Sequence, residues 1–314
     1  MPTSTGSTRR ITAFVGKVLV ERLNDGSRRW VVQDRNGVTR RYVEGEIWHL
    51  RDIPLIDQLI GASRIWAGRE AIGARIRDDG GNGASTEALG DRHMAAFVPA
   101  GQILLVSFEA HHRLEEVCDR AQPLGWALGK ALGWSHLCLA CAQDTWFRDA
   151  SVFAFFDRLI DDGFFEKFEQ ILFYGAGAAG YAAAAFSVAA PGARVLCIQP
   201  QATLDPRVAE WDDRFLHMRR TAFDTRYGYA PDMLDAATEA FVLYDPYNKL
   251  DAMHASLFTR PNVTKFRMRH LGPDMEQSLM GMSILLRIIA QMSAGKLDRL
   301  HLAKLFRARR RYVP

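Results

Sequence analysis

The sequence predicts an α/β protein: a mostly parallel sheet with helices on both faces, preceded by a small β-rich N-terminal domain. Three observations predict it. Six short apolar runs, ILLVSF (103–108), HLCLACA (136–142), QILFY (170–174), RVLCI (194–198), AFVLY (240–244) and VTKF (263–266), are continuous rather than alternating. Strands buried on both faces read this way, as in a parallel sheet covered by helices. Segments of helical character separate the runs, which suits crossover connections. The first 45 residues instead carry short β-rich runs punctuated by Asp25-Gly26 and Asn36-Gly37, dipeptides that supply the positive φ of tight hairpin turns.

The composition allows a large core. Of 314 residues 48% are hydrophobic and 24% charged, enough to bury about three quarters of the unfolded surface. Forty Lys and Arg against 36 Asp and Glu are a mild excess without the basic face that nucleic-acid binding needs, so no nucleic acid is expected as a partner. The four cysteines, Cys118, Cys138, Cys141 and Cys197, make no disulfide framework, and with no leader pattern at the start the expected location is cytoplasmic. The stretch Met280 to Met292 is interrupted by Arg287 and is shorter than the roughly 20 residues that cross a bilayer, so no membrane span is expected.

In chain order, residues 1–10 (MPTSTGSTRR) have nothing to bury and read as a flexible terminus. Residues 11–77 read as a β-meander followed by an amphipathic helix over 54–77, where Leu55, Ile56, Leu59 and Ile60 recur at helical spacing. The breaker-rich stretch from Asp78 makes 78–95 the expected linker. Residues 96–300 hold the α/β domain. The last segment, 301–314, with Lys304, Arg307 and Arg309 to Arg311, reads as a basic tail.

The most specific motif follows the third apolar run. QILFY leads into Gly175-Ala176-Gly177-Ala178-Ala179-Gly180 and then an alanine-rich helix. Two mechanisms use a strand, a tight glycine turn and a helix. In a dinucleotide-binding unit, GxGxxG lets the backbone approach a pyrophosphate at the helix N-terminus. That reading asks for an acidic residue about 20 positions on, where this chain has Gln199-Pro200 and no carboxylate before Asp205. The other mechanism is the nucleophile elbow, GxSxG.

Tyr174 to Ala183, together with Gln199-Pro200-Gln201 after the next strand, resembles the α/β-hydrolase superfamily. Within it, the likeness is to bacterial members whose elbow reads like YGxSMGGYAA and whose next strand ends in SPQ. Asp144, Trp146 and Phe147 resemble an Asp with an aromatic pair upstream of that elbow, and the likeness spans about 100–290. The resemblance implies a pocket over the sheet, with Asp144 and Trp146 near it. It also implies a triad in the order nucleophile, acid, histidine. Asp245, after AFVLY, falls in the acid place and His270, after VTKFRM, in the histidine place. The serine place is held by Gly177, and Ala176 and Ala178 offer no nucleophile either.

Other motifs are weaker. His254 reads as a packing residue in the helix between the last two strands. The adjacent His111 and His112 do not make a metal site, and Cys138 and Cys141 lie in a strand, where positions i and i+3 face opposite ways. Neither metal nor cofactor is expected.

The expected function is a non-catalytic or binding role for an unidentified small-molecule or protein ligand. One alternative is a hydrolase or transferase that works through the Asp245–His270 pair without an acyl-enzyme. Another is a nucleotide-binding oxidoreductase through Gly175, Gly177 and Gly180. The stretch YGAGAAGYAAAAFSVAAPGA also looks like sequences that carry the label phosphoadenosine phosphosulfate reductase. That label implies an SGGxDS loop and a CGxH cysteine near the C-terminus, and this chain has neither.

Overall fold

A computed structural model describes the backbone of residues 18–22, 28–33 and 39–43, and residues 83–109, 129, 132–141 and 145–307 with their side chains. The expected terminus 1–10, the helix over 54–77, His111, His112, Asp144 and residues 308–314 lie outside the described residues. The chain divides into two compact units, Met1–Trp66 and Ala67–Pro314. In the first, β1 (Val18–Arg22), β2 (Arg28–Gln33) and β3 (Thr39–Val43) form an antiparallel sheet in sequential order. The Asp-Gly and Asn-Gly dipeptides fall between these strands, as hairpin connections require.

The second unit is built on one sheet. Its strands are β4 (Ser85–Leu89), β5 (His93–Val98), β6 (Ile103–Glu109), β7 (Ser135–Cys141), β8 (Gln170–Ala176), β9 (Arg194–Ile198), β10 (Glu239–Tyr244) and β11 (Val263–Arg267). Their spatial order is β4-β5-β7-β6-β8-β9-β10-β11, and β5 alone runs against the others. All six continuous apolar runs are strands of this sheet.

Two further strands begin inside the stretch 78–95 that reads as a linker. Four of the five β4 residues are exposed and only Leu89 is buried, so an edge strand of this kind carries no apolar periodicity. Gly90, at φ +62°, turns the chain back into β5, and β5 buries small residues such as Ala95 and Ala96. The sheet therefore starts upstream of the expected boundary.

Helices cover both faces. On one lie α1 (Ala150–Asp161), α2 (Ala178–Phe186), the short turns α3 (Pro206–Ala209) and α4 (Ala230–Met233), and α5 (Lys249–Leu257). On the other lie α6 (Met275–Gly281), α7 (Ile284–Ser293) and α8 (Arg299–Arg307). Asp149 caps α1 by accepting from the Ser151 N–H at 3.0 Å, and Gly163, at φ +59°, ends the segment. The segment read as a basic tail starts inside α8. Leu302 and Leu305 are buried in the core while the basic residues stay outside, the i, i+3 pattern of an amphipathic helix.

The first face is held by an aromatic stack. Phe156 lies 4.5 Å from Phe186 at an interplanar angle of 20°, and Phe108 stacks on Phe156 at 6.1 Å. Among the described residues no helix is long and apolar enough to cross a membrane.

Phe156 is fully buried at the centre of this stack, so Phe156→Ala is expected to cost about 3–5 kcal/mol. Urea denaturation should show a lowered midpoint with an unchanged slope. A cost below about 1 kcal/mol would mean that the stack is not the core.

Candidate functional site

β8 ends at Ala176 and α2 begins at Ala178, so Gly177 alone makes the turn, at φ 60° and ψ −124°. Each glycine of the motif has its own reason. A Cβ on Gly175 would lie 2.1 Å from the Ala179 carbonyl oxygen, which no side chain tolerates. A Cβ on Gly180 would lie 3.2 Å from both the Gly175 and Ile198 carbonyl oxygens. Gly177 is different: a Cβ there meets nothing within 4 Å, and only its positive φ asks for glycine. The turn is thus an elbow whose apex points into open space. Its own N–H donates to the Ile198 carbonyl at 2.8 Å and is not available to a pyrophosphate.

A mostly parallel eight-stranded sheet covered by helices on both faces, with a tight glycine turn between its central strand β8 and α2, decides the architecture; Asp245 follows β10 and His270 follows β11. The frame is α/β-hydrolase-like.

Comparison with known proteins adds no family. No protein-family profile and no curated protein matches the chain. Solved structures that share part of its fold include a glycosylation-associated Gap123 complex from Streptococcus agalactiae, at 14% identity and TM-score 0.43, over 68% of this chain and 47% of that one. This chain therefore spans about half the length of that protein. The capsule O-acetyltransferase of Neisseria meningitidis serogroup A shares 11% identity at TM-score 0.39, over 66% of this chain and 95% of that one. An esterase from Pyrobaculum calidifontis shares 13% identity at TM-score 0.39, over 78% of this chain and 99% of that one. Likeness at this level assigns no residue a role.

On the hydrolase-like frame, the two residues in the acid and histidine places are both present but not joined. The Asp245 side chain is 2% exposed, and its oxygens accept the Tyr247 N–H and the Gly272 N–H, each at 3.0 Å. It ties the loop after β10 to the loop after β11. His270 stacks on Tyr247 with ring centroids 4.5 Å apart, and no hydrogen bond links it to Asp245. Trp146 is buried beside the site, donating through Nε1 to Gln201 Oε1 at 3.1 Å.

A second polar system stands where the sequence reading placed none. Arg214 donates through Nε and one terminal nitrogen to Asp212, and through the other terminal nitrogen to Asp251 Oδ1 at 2.7 Å. Asp251 Oδ2 accepts from Gln199 Nε2 at 2.9 Å and Asn248 Nδ2 at 2.7 Å. Behind them, the Ala202 N–H donates to His254 Nδ1 at 3.2 Å, which leaves the ring proton on Nε2, 2.8 Å from Asp212 Oδ2. His254 is therefore a neutral brace for the carboxylate that holds Arg214. Burial raises the Asp212 carboxyl, but the bonds from His254 and Arg214 outweigh it and hold the group well below the usual carboxylate range.

Arg214, Asp251, Gln199 and Asn248 line a pocket of about 190 Å³ together with Ala176 and Gly177, while Asp212 and His254 stand behind its lining. A larger cavity of about 550 Å³ lies at the N-terminal ends of β8 and β9, between Phe165, Phe168, Ile171 and Ala190. Open α/β sheets bind ligands at the carboxyl ends of their strands, and the convergent polar groups are at the smaller pocket. Positive-φ residues also gather at that end: Trp146, Phe147, Gln199 and His270, a concentration of strain typical of functional sites.

Away from the pocket, Ser107 Oγ and His136 Nε2 lie 2.8 Å apart in the sheet. Both are buried, and burial pushes His136 down to about 3, so its imidazole is neutral. Cys138 and Cys141 point to opposite faces of β7, as the strand spacing requires.

Little in the sequence marked Arg214, Asp212 or Asp251. Asn248 with Asp251 has the spacing of a helix cap with an acid at N3, and Asn248 caps α5. Nothing in that pattern says that the acid also grips an arginine.

Two outcomes follow from this geometry. Gly175→Ala should unfold at markedly lower urea than Gly177→Ala, because the first meets backbone at 2.1 Å and the second costs only the about 1–3 kcal/mol of an unfavourable φ. Equal costs would mean that the elbow is not this tight. For Asp212, a depressed native value means a contribution to stability that is complete above about 3.9, the unfolded value, and is lost as pH falls below it. Asp212→Asn should therefore lower the urea midpoint at neutral pH, with the gap to the wild type closing as the pH is taken down through about 4. A gap independent of pH would remove the ion-pair account.

Proposed function

We propose that this protein is a non-catalytic member of the hydrolase-like architecture, binding a small ligand in the pocket above Gly177. One observation carries the reading. The turn after β8 is tight, with no room for a side chain at Gly175 and little at Gly180, while its apex carries no side chain and lines the pocket. With no hydroxyl or thiol on Ala176, Gly177 or Ala178, an acyl-enzyme has nothing to form on.

The alternatives have less support. A His–Asp mechanism that activates water needs an imidazole oriented by its carboxylate. Asp245 spends its oxygens on two backbone N–H groups, and His270 leans on Tyr247. A dinucleotide reading needs a longer cleft than about 190 Å³, and it needs a carboxylate at the end of β9, where Gln199 stands. The reductase chemistry has no support in the cysteines among the described residues. Cys138, Cys141 and Cys197 are all buried, and burial pushes the Cys138 thiol up, away from the reactive thiolate.

The test is covalent labelling. The wild-type chain should not react with a fluorophosphonate probe and should not hydrolyse p-nitrophenyl acetate above the buffer rate. Gly177→Ser should stay unlabelled as well, since no imidazole is aligned on the new hydroxyl. Labelling of the wild type would overturn the non-catalytic reading. Labelling of Gly177→Ser that disappears on adding His270→Ala would show that Asp245 and His270 do assemble a triad.

A further inference from the structure

We infer that the elbow pocket takes a neutral, multiply hydroxylated molecule of monosaccharide size or smaller. The inference rests on the binding reading above and names the ligand class for it.

The argument is an account of hydrogen-bonding capacity. Anions are disfavoured because Arg214 is the only basic residue lining the pocket among the described residues, and Asp212 and Asp251 already neutralise it. A carboxylate or phosphate entering here would face Asp251, Glu276 and Asp274, and among the described lining residues no basic group is left to offset them. Cations gain little either. Asp251 already receives three side-chain donors, from Arg214, Gln199 and Asn248, and Glu276 accepts the Tyr174 hydroxyl proton. Asp274 is exposed at the rim, where water screens it.

What the pocket has to spare is mixed. Of the five N–H donors of a guanidinium, Arg214 uses one on Nε and one on each terminal nitrogen, so two remain. Gln199 Oε1 takes no hydrogen bond from the described residues, while its amide nitrogen is committed to Asp251 and the Gly272 carbonyl. Donors and acceptors thus sit side by side, and a hydroxyl, which both donates and accepts, satisfies either kind without bringing a charge. Leaving such groups buried under an apolar ligand would cost about 1–3 kcal/mol each.

Size agrees. About 190 Å³ equals the liquid volume of roughly six waters, which suits a small polyol or one sugar ring and not an oligomer. Tyr247, 65% exposed and stacked on His270, stands next to the lining residue Asn248.

The experiment is a titration of the ¹⁵N-labelled full chain with three probes of one shape and different charge: glucose, glucosamine and glucuronate. Glucose should shift the Gly177 and Ala178 amides and the side-chain amides of Gln199 and Asn248. Glucuronate should leave them in place, and glucosamine should bind no more tightly than glucose. Ala176→Leu, which adds bulk at the lining without removing a charge, should weaken glucose binding at least tenfold, about 1.4 kcal/mol. Gln277→Ala, on the exposed rim, should leave the fold unchanged and weaken binding by less. Stronger binding of glucosamine or of glucuronate at these same amides would overturn the ligand class and leave the binding reading standing. If none of the three probes moves these amides, both the ligand class and the binding reading fall. Glucose shifts that survive Ala176→Leu and Gln277→Ala alike would overturn the assignment to this pocket.

Discussion

The carboxyl end of the sheet depends on how closely α2 crosses β8. The Gly175 α-carbon sits so near the Ala179 carbonyl that a single added carbon would lie 2.1 Å from its oxygen. Such an approach is available only to a helix with almost no side-chain bulk, and α2 is alanine at most positions and buried at eight of its nine. The close crossing forces a one-residue turn, and the turn fixes Gly177 with its α-carbon facing the space between the loops that follow β9, β10 and β11. The turn is therefore a product of packing and needs no side chain at its apex.

Around that fixed point, three carboxylates, Asp245, Asp212 and Asp251, hold the loops in place. Asp245 bridges two loops through backbone N–H groups, which holds the rim in place and leaves His270 on its own. The chain His254, Asp212, Arg214, Asp251 runs through the other wall with the side chains of its first two members fully shielded from solvent. Exchanging such a network whole for apolar residues changes net stability little, because desolvation offsets attraction, whereas removing one partner strands the other's charge. The effect of these pairs is geometric: each charge has one arrangement in which it is satisfied, so the wall has one shape.

Much of the fold was legible in the sequence because parallel strands buried on both faces leave continuous apolar runs. The glycine turn was legible because the backbone leaves no room for a side chain at Gly175 and little at Gly180. The strands at 85–98 were hidden because an edge strand such as STEAL buries one residue in five, and because Ala95 and Ala96 fill a tight space with little hydrophobic signal. The site was half legible. Gly177 lines the pocket, Asp245 and Trp146 are buried at the carboxyl end of the sheet, and Asp144 lies outside the described residues. The Arg214 system was not legible, since its members come from a loop, a strand end and a helix start that carry no shared period. Charges that meet only in three dimensions leave no local pattern.

The central claim is that the polar groups above the elbow form a binding wall and not a triad, and the histidine ring protons report on it directly. In a long-range ¹H–¹⁵N spectrum of the wild-type chain, His254 is expected as the neutral tautomer with its proton on Nε2, slow to exchange and hydrogen-bonded to Asp212. His270 is expected to show no protected ring proton. A downfield, slowly exchanging Nδ1 proton on His270, shared with Asp245, would contradict the account.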